Sequence, residues 1–285
     1  SIQTKPRAMN TALPFLRGAI VGVYDAEDAP HPKQVLTVAG AFAASAQTAC
    51  VQAPLDIYNT DQSWLSACFT VEYATLFRRQ NPSLAAKNWP LPLGGTSFFI
   101  RKDVLKSLGG WDAFNVTEDA DLGLRLHQAG YQTKMIAPPT LEEAPTDIAA
   151  WVKQRSRWLK GFLLTWMTTR KDSRSVLAAY LLLGPIVAAV TGVLTVPLWI
   201  MTLGFEVIEP TGAFYAFTAI AIMSEISLAA IGWLALRAKS HRHLRWVLPL
   251  MPVYRLLLIP AAIKAVIEAV FAPVFWDKTR HGQSG

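Results

Sequence analysis

Two hydropathy regimes divide the chain. Up to about residue 175, short apolar runs of strand type alternate with segments whose apolar positions recur at helical spacing, which predicts an α/β domain with a mainly parallel sheet. Residues 19–24 (Ala-Ile-Val-Gly-Val-Tyr) read as a buried strand that ends in acids. In open α/β sheets ligands gather at the carboxyl ends of strands, so a site is expected there. Residues 98–100, after Gly94 and Gly95, read as a second short strand, and 119–129 as a helix closed by Gly130. Over 148–167 the apolar positions Ile148, Trp151, Val152, Trp158, Leu159, Phe162, Leu163, Trp166 and Met167 keep helical spacing, with Lys153, Arg155, Arg157 and Lys160 interleaved. That is a basic, Trp-rich amphipathic helix of the kind that lies in a lipid headgroup layer.

The second regime is apolar throughout. Residues 176–205 carry no charged side chain, and a helix of that length at ~1.5 Å per residue exceeds the ~30 Å hydrocarbon core of a bilayer. It predicts a membrane span, tilted or kinked at Pro185 or Pro197. Residues 210–236 predict a second span interrupted by Glu225, which should face protein or water rather than lipid. The link between them holds Glu206 and Glu209 without Lys or Arg, whereas Arg237, Lys239, Arg242 and Arg245 follow the second. By the retention of positive charge on the inner side, the first 175 residues are cytoplasmic. Residues 246–275 contain Arg255, Lys264 and Glu268 with Pro249, Pro252 and Pro260. They fit either a third span or interfacial helices with snorkelling basic heads, and the basic tail favours the latter.

Composition narrows the function classes. With 52% hydrophobic and 16% charged residues, against roughly 25% charged in soluble domains, a disordered chain is excluded. The net charge of +7 accompanies a positive mean hydropathy, so a membrane surface, not nucleic acid, is the expected anionic partner. The first 175 residues hold 19 of the 27 basic and 15 of the 20 acidic side chains, so the charge is early and the apolar sequence late. Cys50 and Cys68 have neither metal-type nor redox spacing and read as reduced thiols. The N-terminus has neither an initiator Met nor the apolar core of a signal peptide, and reads as the interior of a larger chain.

Three groups of residues can carry chemistry. Asp25, Glu27 and Asp28 repel one another unless a cation neutralises them, and oxygen ligands of this kind suit Mg2+ or Mn2+ bridged to phosphates. An isolated acidic triplet before Pro30 is equally an ordinary solvated turn, and His31 reads as a loop residue. Thr117, Glu118 and Asp119 form a common capping pattern at a helix start. A carboxylate there can act as a general base, provided burial or a nearby negative charge offsets the helix dipole. Gln154, Arg157 and Trp158 stand at i, i+3 and i+4 on one helix face. Arginine suits a phosphate and tryptophan the apolar face of a sugar ring, although a membrane-surface helix without chemistry has the same composition.

In this order, Tyr24-Asp25-Ala26-Glu27-Asp28, Thr117-Glu118-Asp119 and Gln154-Arg155-Ser156-Arg157-Trp158 resemble the motifs of membrane-embedded family 2 glycosyltransferases, which include cellulose synthase and hyaluronan synthase. The resemblance runs from about residue 5 to residue 282. It takes in residues 5–13, similar to the family's Lys-x-x-Ala-Leu-Asn segment, and residues 94–98, similar to its acceptor-side Gly-Thr-x segment. It implies part of a GT-A type nucleotide-diphospho-sugar transferase domain (1–147), an amphipathic interface helix with the Gln-x-x-Arg-Trp motif (148–172) and a transmembrane and interfacial region with a basic tail (173–285). The implied reaction is an inverting, metal-dependent transfer of a sugar from a nucleoside diphosphate, UDP foremost, to a growing polysaccharide or other acceptor hydroxyl at the bacterial inner membrane.

On this resemblance Asp25 with Glu27 or Asp28 holds Mg2+ or Mn2+. Asp119, with Glu118, is the catalytic base group. Gln154, Arg157 and Lys5 bind the donor diphosphate, and Trp158, Thr96 and Ser97 face the acceptor. The ending Trp276-Asp277-Lys278-Thr279-Arg280-His281-Gly282 resembles a bacterial Trp-x-Lys-Thr-x-His-Gly terminus, and Trp276, Lys278, Thr279 and His281 are read as a gating segment over the nucleotide. The family's first strand and its base-binding aspartate are expected upstream of Lys5, so the 285 residues alone are expected to transfer no sugar. A glycolipid synthase acting on a lipid acceptor needs the same motifs. A metal-dependent phosphohydrolase would recruit histidines, yet His127, His241 and His243 lie outside the motifs. A non-catalytic membrane scaffold is the third alternative.

Overall fold

The computed structural model of the chain describes residues 4–169, 176–237 and 239–272. The gating segment, Trp276, Lys278, Thr279 and His281, lies outside the described residues. Helix α1 (Lys5–Ala12) leads into β1 (Ile20–Val23), β2 (Ala29–Pro30), α2 (Gln34–Ala43), β3 (Thr48–Gln52), β4 (Leu55–Ile57), α3 (Trp64–Thr75) and α4 (Asn81–Ala86). The α/β part ends with β5 (Phe98–Arg101), α5 (Lys102–Ser107), α6 (Glu118–Gln128), β6 (Gln132–Met135) and β7 (Thr140–Glu142). Two sheets form, ordered β1-β5-β3-β6 and β2-β7-β4.

The period-two alternation of strand side chains builds a core on each face of the larger sheet. Phe98 and Ile100 join Val21, Val23, Leu122 and Leu126 on one face, while Phe99 turns to Val38 and Phe42 of α2 on the other. Both cysteines are buried and free, as expected. The strands at residues 19–24 and 98–100 and the helix closed by Gly130 form where the sequence places them.

The sheet is not mainly parallel. β5 runs antiparallel to both β1 and β3, and of the three pairings in that sheet β3 with β6 is the parallel one. The reason lies in where β5 begins. The Ser97 N–H donates to the Val23 carbonyl at 2.7 Å and the Ala53 N–H to the Ser97 carbonyl at 2.9 Å. The chain therefore enters β5 at the end where β1 and β3 finish and must run back between them, which needs no crossover. Residues 94–97 are thereby set beside the acids that follow β1.

Helix α7 (Ile148–Thr169) is continuous through the amphipathic segment. Helix α8 (Val176–Trp199) keeps Pro185 and Pro197 inside it and passes into a π turn, Ile200–Gly204. Helix α9 (Gly212–Ala235), a 3-10 stretch (Lys239–Leu250), α10 (Met251–Leu256) and α11 (Leu258–Phe271) follow. Among the described residues, Gly212–Ala235 and His241–Phe271 are long and apolar enough to cross a membrane. Glu225, as expected, meets protein: Arg255 donates to it. Helix α3 is buried around most of its circumference because it lies between the α/β part and this helical region. Its Leu65, Phe69 and Tyr73 share one core with Trp151 and Leu159 of α7 and with Leu244, Val247 and Tyr254.

Candidate active site

The turn after β1 is fixed by its neighbour across the sheet. The Asp25 N–H donates to Asp28 Oδ2 at 2.9 Å and to Thr96 Oγ1 at 3.1 Å, and the Thr96 hydroxyl in turn donates to Asp28 Oδ2. Lys5, brought in by α1, donates to Asp25 Oδ1 and, at 2.8 Å, to the Gly95 carbonyl. Burial works against the Lys5 charge, but Asp25, with Glu118 and Asp119 behind it, outweighs the burial and holds the ammonium above its ordinary range. The Asp28 carboxyl is pushed up by burial, opposed by the bonds from Thr96 and Asp25.

Asp119 enters the same space from the start of α6. A Cβ built on Gly95 would stand 3.3 Å from Asp119 Oδ2, so the missing side chain at Gly95 is what admits the carboxylate. Burial pushes the Asp119 and Glu118 carboxyls well above the usual range, and their mutual repulsion adds to it at Glu118. The offset to the helix dipole that a base role requires is thus present. Thr117 does not cap α6 with its side chain; its hydroxyl turns to Asn115 Oδ1 at 3.2 Å.

The third group reaches the site through Gly161. Gln154, Arg157, Trp158 and Gly161 share one face of α7 by the i, i+3, i+4, i+7 rule. A Cβ on Gly161 would fall 2.4 Å from Thr117 Cγ2, so this face packs directly on the turn that carries Glu118 and Asp119. Thr165, one turn further, accepts from Asn115 Nδ2 at 2.7 Å. Gln154 is buried, and its Oε1 has no hydrogen-bond partner among the described residues. Arg157 and Trp158 are half-buried.

Thus Lys5, Asp25, Asp28, Thr96, Glu118 and Asp119 converge, with the Gln154–Arg157–Trp158 face beside them. Thr96 and Ser97 act inward: Thr96 pins Asp28, and the fully buried Ser97, at φ +55°, donates to Thr140 Oγ1 at 2.5 Å. Neither hydroxyl is turned out towards an acceptor. Glu27 stays on the same turn as Asp25 and Asp28.

Sequence reasoning missed Glu142, Asn115, Gly161 and Thr165. Glu142 ends β7, which pairs with β2 immediately after the acidic turn, and its carboxyl is pushed up to about 8 by burial first and then by Asp28 and Asp25. An acid pair after a strand-like run, and a glycine three residues past the motif tryptophan, were the available signals.

Among the described residues no three His, Cys, Asp or Glu side chains gather closely enough to hold a metal ion unaided. The donor set still fits a cation shared with phosphates. Asp25 Oδ2 and Asp28 Oδ1 are left without a hydrogen-bond partner among the described residues, and Mg2+ and Mn2+ take one or two carboxylates with the remainder from water and phosphate.

Residues 20–234 match the family model described as glycosyl transferase family group 2. The chain belongs to that family. Beta-monoglucosyldiacylglycerol synthase of Synechocystis is 32% identical over 161 residues, 55% of this chain and 33% of that protein. The probable glycosyltransferase YdaM of Bacillus subtilis is 26% identical over 55% of this chain and 38% of its own length. The cellulose synthase catalytic subunit (UDP-forming) of Pseudomonas fluorescens is 26% identical over 59% of this chain and 23% of its own. The matched part of the chain therefore spans between about a quarter and two fifths of the length of these relatives. In fold it is similar to the mannosyltransferase PcManGT of Pyrobaculum calidifontis, solved with GDP-Man and Mn2+, at a TM-score of 0.56 and 17% identity over 93% of this chain and 67% of that one. The α/β part of this family 2 chain is GT-A-like.

Proposed function

We propose that this chain carries the catalytic centre of an inverting, metal-dependent transfer of a sugar from a nucleoside-diphosphate sugar to an acceptor hydroxyl at a membrane. The observation that carries it is the meeting of three separate motifs: Lys5 and Asp25 at Gly95, Asp119 beside Gly95, and the Gln154–Arg157–Trp158 face packed through Gly161 onto Thr117. Asp25 and Asp28, with Glu27 on the same turn, are the residues to hold Mg2+ or Mn2+, which when bound would neutralise charge on the leaving diphosphate. Lys5 and Arg157 add fixed positive charge where the diphosphate departs. Asp119 takes the proton of the acceptor hydroxyl, and its upward-shifted carboxyl suits that task at neutral pH. Glu118, its carboxyl pushed up to about 8 by burial, holds its proton beside Asp119 at neutral pH. Gln154 Oε1, without a hydrogen-bond partner among the described residues, suits a hydroxyl donor on the sugar, and Trp158 suits a ring face.

A lipid acceptor is supported by the 32% identity to a glucosyldiacylglycerol synthase and by the largely exposed apolar surface of α9. The polysaccharide alternative is supported by the cellulose synthase likeness. A donor and acceptor screen separates these. The full-length protein in vesicles is given UDP-glucose or GDP-mannose, Mn2+ and diacylglycerol, and products are sized. Label in a single-sugar glycolipid is expected, whereas label in long chains would move the acceptor to a polysaccharide and no transfer under any pairing would contradict the proposal.

A further inference from the structure

Helix α7 is held by a buried polar group that none of the transfer steps uses. Arg155, between the motif residues, donates from Nη1 to Glu72 Oε1 at 2.5 Å and from Nη2 to Glu72 Oε2 at 2.7 Å. Tyr254 of α10 donates to the same Glu72 Oε2 at 2.6 Å, and the Trp151 indole N–H donates to the Tyr254 oxygen at 2.9 Å. The Arg155 guanidinium is boxed by aromatic rings, with centroids at 4.6 Å for Trp158, 5.1 Å for Phe69 and 5.2 Å for Trp151. Trp151, Phe69 and Tyr254 are almost fully buried, and Arg155 nearly so. One carboxylate of the α/β part is thus gripped by α7 and by α10 together, and the residue after Tyr254, Arg255, pairs with Glu225 of α9.

At about 100° per residue, Trp151, Arg155 and Trp158 lie on one stripe of α7, at i, i+4 and i+7. Trp158 also lies on the stripe of Gln154, Arg157 and Gly161. It is the one motif side chain common to both. A bidentate arginine–carboxylate pair fixes direction as well as distance, so the rotation of α7 about its axis is set at Glu72. The guanidinium plane then fixes the ring of Trp158 by stacking.

We propose that Glu72, Arg155 and Tyr254 are positioning residues: a three-element clamp that sets the rotation of α7 and aims Trp158 into the transfer site, tying that geometry to the C-terminal helices. The proposal rests on the reading of Trp158 as part of the site. Its test is a double-mutant cycle in the full-length protein, with turnover followed as nucleoside diphosphate released from the donor that the screen selects. Glu72→Gln and Arg155→Lys are each expected to lower kcat about 10-fold with the donor KM within about 2-fold, and to cost less than about 2-fold when Trp158 is already alanine. Tyr254→Phe, the mildest change, is expected to show the same coupling at smaller size. Losses that multiply in the Trp158→Ala background would overturn the clamp. A readout independent of turnover is the fluorine resonance of 5-fluorotryptophan at position 158, assigned by Trp158→Phe. It should shift in Glu72→Gln and Arg155→Lys, and an unmoved resonance in both overturns the proposal. Asp119→Asn run alongside tests the site itself: retained turnover there would remove the site reading and leave the clamp to be judged by the resonance.

Discussion

Asp119 stands where two effects oppose each other. The first turn of a helix favours a negative charge, whereas burial, with Asp25 nearby, disfavours it, and the burial wins. Glu142 is a second case, with a consequence for stability. Its folded-state value of about 8 lies above the ordinary 4.5 of a glutamate, so the folded chain holds this proton more tightly than the unfolded one. The stabilisation is complete below the unfolded value and is lost as pH rises through the folded one. In the absence of added divalent metal, this group should therefore lower the wild-type melting temperature between about pH 4.5 and about pH 8, on the order of several degrees. Glu142→Gln should make that fall shallower, with Glu118 supplying a remainder. An identical slope in the variant, followed by thermal melts across the range, would show that Glu142 is not held protonated.

At the scale of elements, the contact between α7 and α6 decides whether three motifs make one site. Gly161→Ala inserts a methyl 2.4 Å from Thr117 Cγ2, so α7 must move away from the turn bearing Asp119. A displacement of about 1 Å can cost on the order of 100-fold in rate, and a loss of that size is expected in turnover per folded molecule. Gly130→Ala is the control: at φ +80° with open space around it, it should cost about 1 kcal/mol of stability and no turnover. Equal turnover in the two variants would remove the contact from the account. The same scale explains what the sequence made legible. The strand at residues 19–24, α6 and α7 announce themselves by hydrophobic period and by a terminating glycine, which are local properties. The direction of β5 does not, because it depends on which end of β1 and β3 the chain reaches after α4. Glu142 escaped for the same reason, since its nearness to Asp25 and Asp28 arises from pairing between strands more than 100 residues apart. The inward hydroxyls of Thr96 and Ser97 were likewise invisible before the hydrogen bonds that hold them were known.

For the whole molecule, the early charge and late apolar sequence become two halves joined through α3 and α7. The α9 surface is buried at Phe214, Gly232 and Ala235 but leaves Ile220, Ile222, Met223 and Ile226 exposed, an arrangement that water disfavours and lipid accepts. The Glu225–Arg255 pair satisfies the charge that such a helix carries. On the proposed function, this layout would set the diphosphate chemistry next to the amphipathic helix, within reach of an acceptor held at a membrane surface. In the proposed glycosyl transfer, Asp119 takes the acceptor proton. The most direct measurement of that role compares Asp119→Asn with wild type in the full-length protein, reading sugar transfer and, by calorimetry, binding of the nucleoside diphosphate with Mn2+. The account predicts that transfer falls by at least about 100-fold while nucleotide binding persists and the fold is intact; transfer within a few-fold of wild type would contradict it.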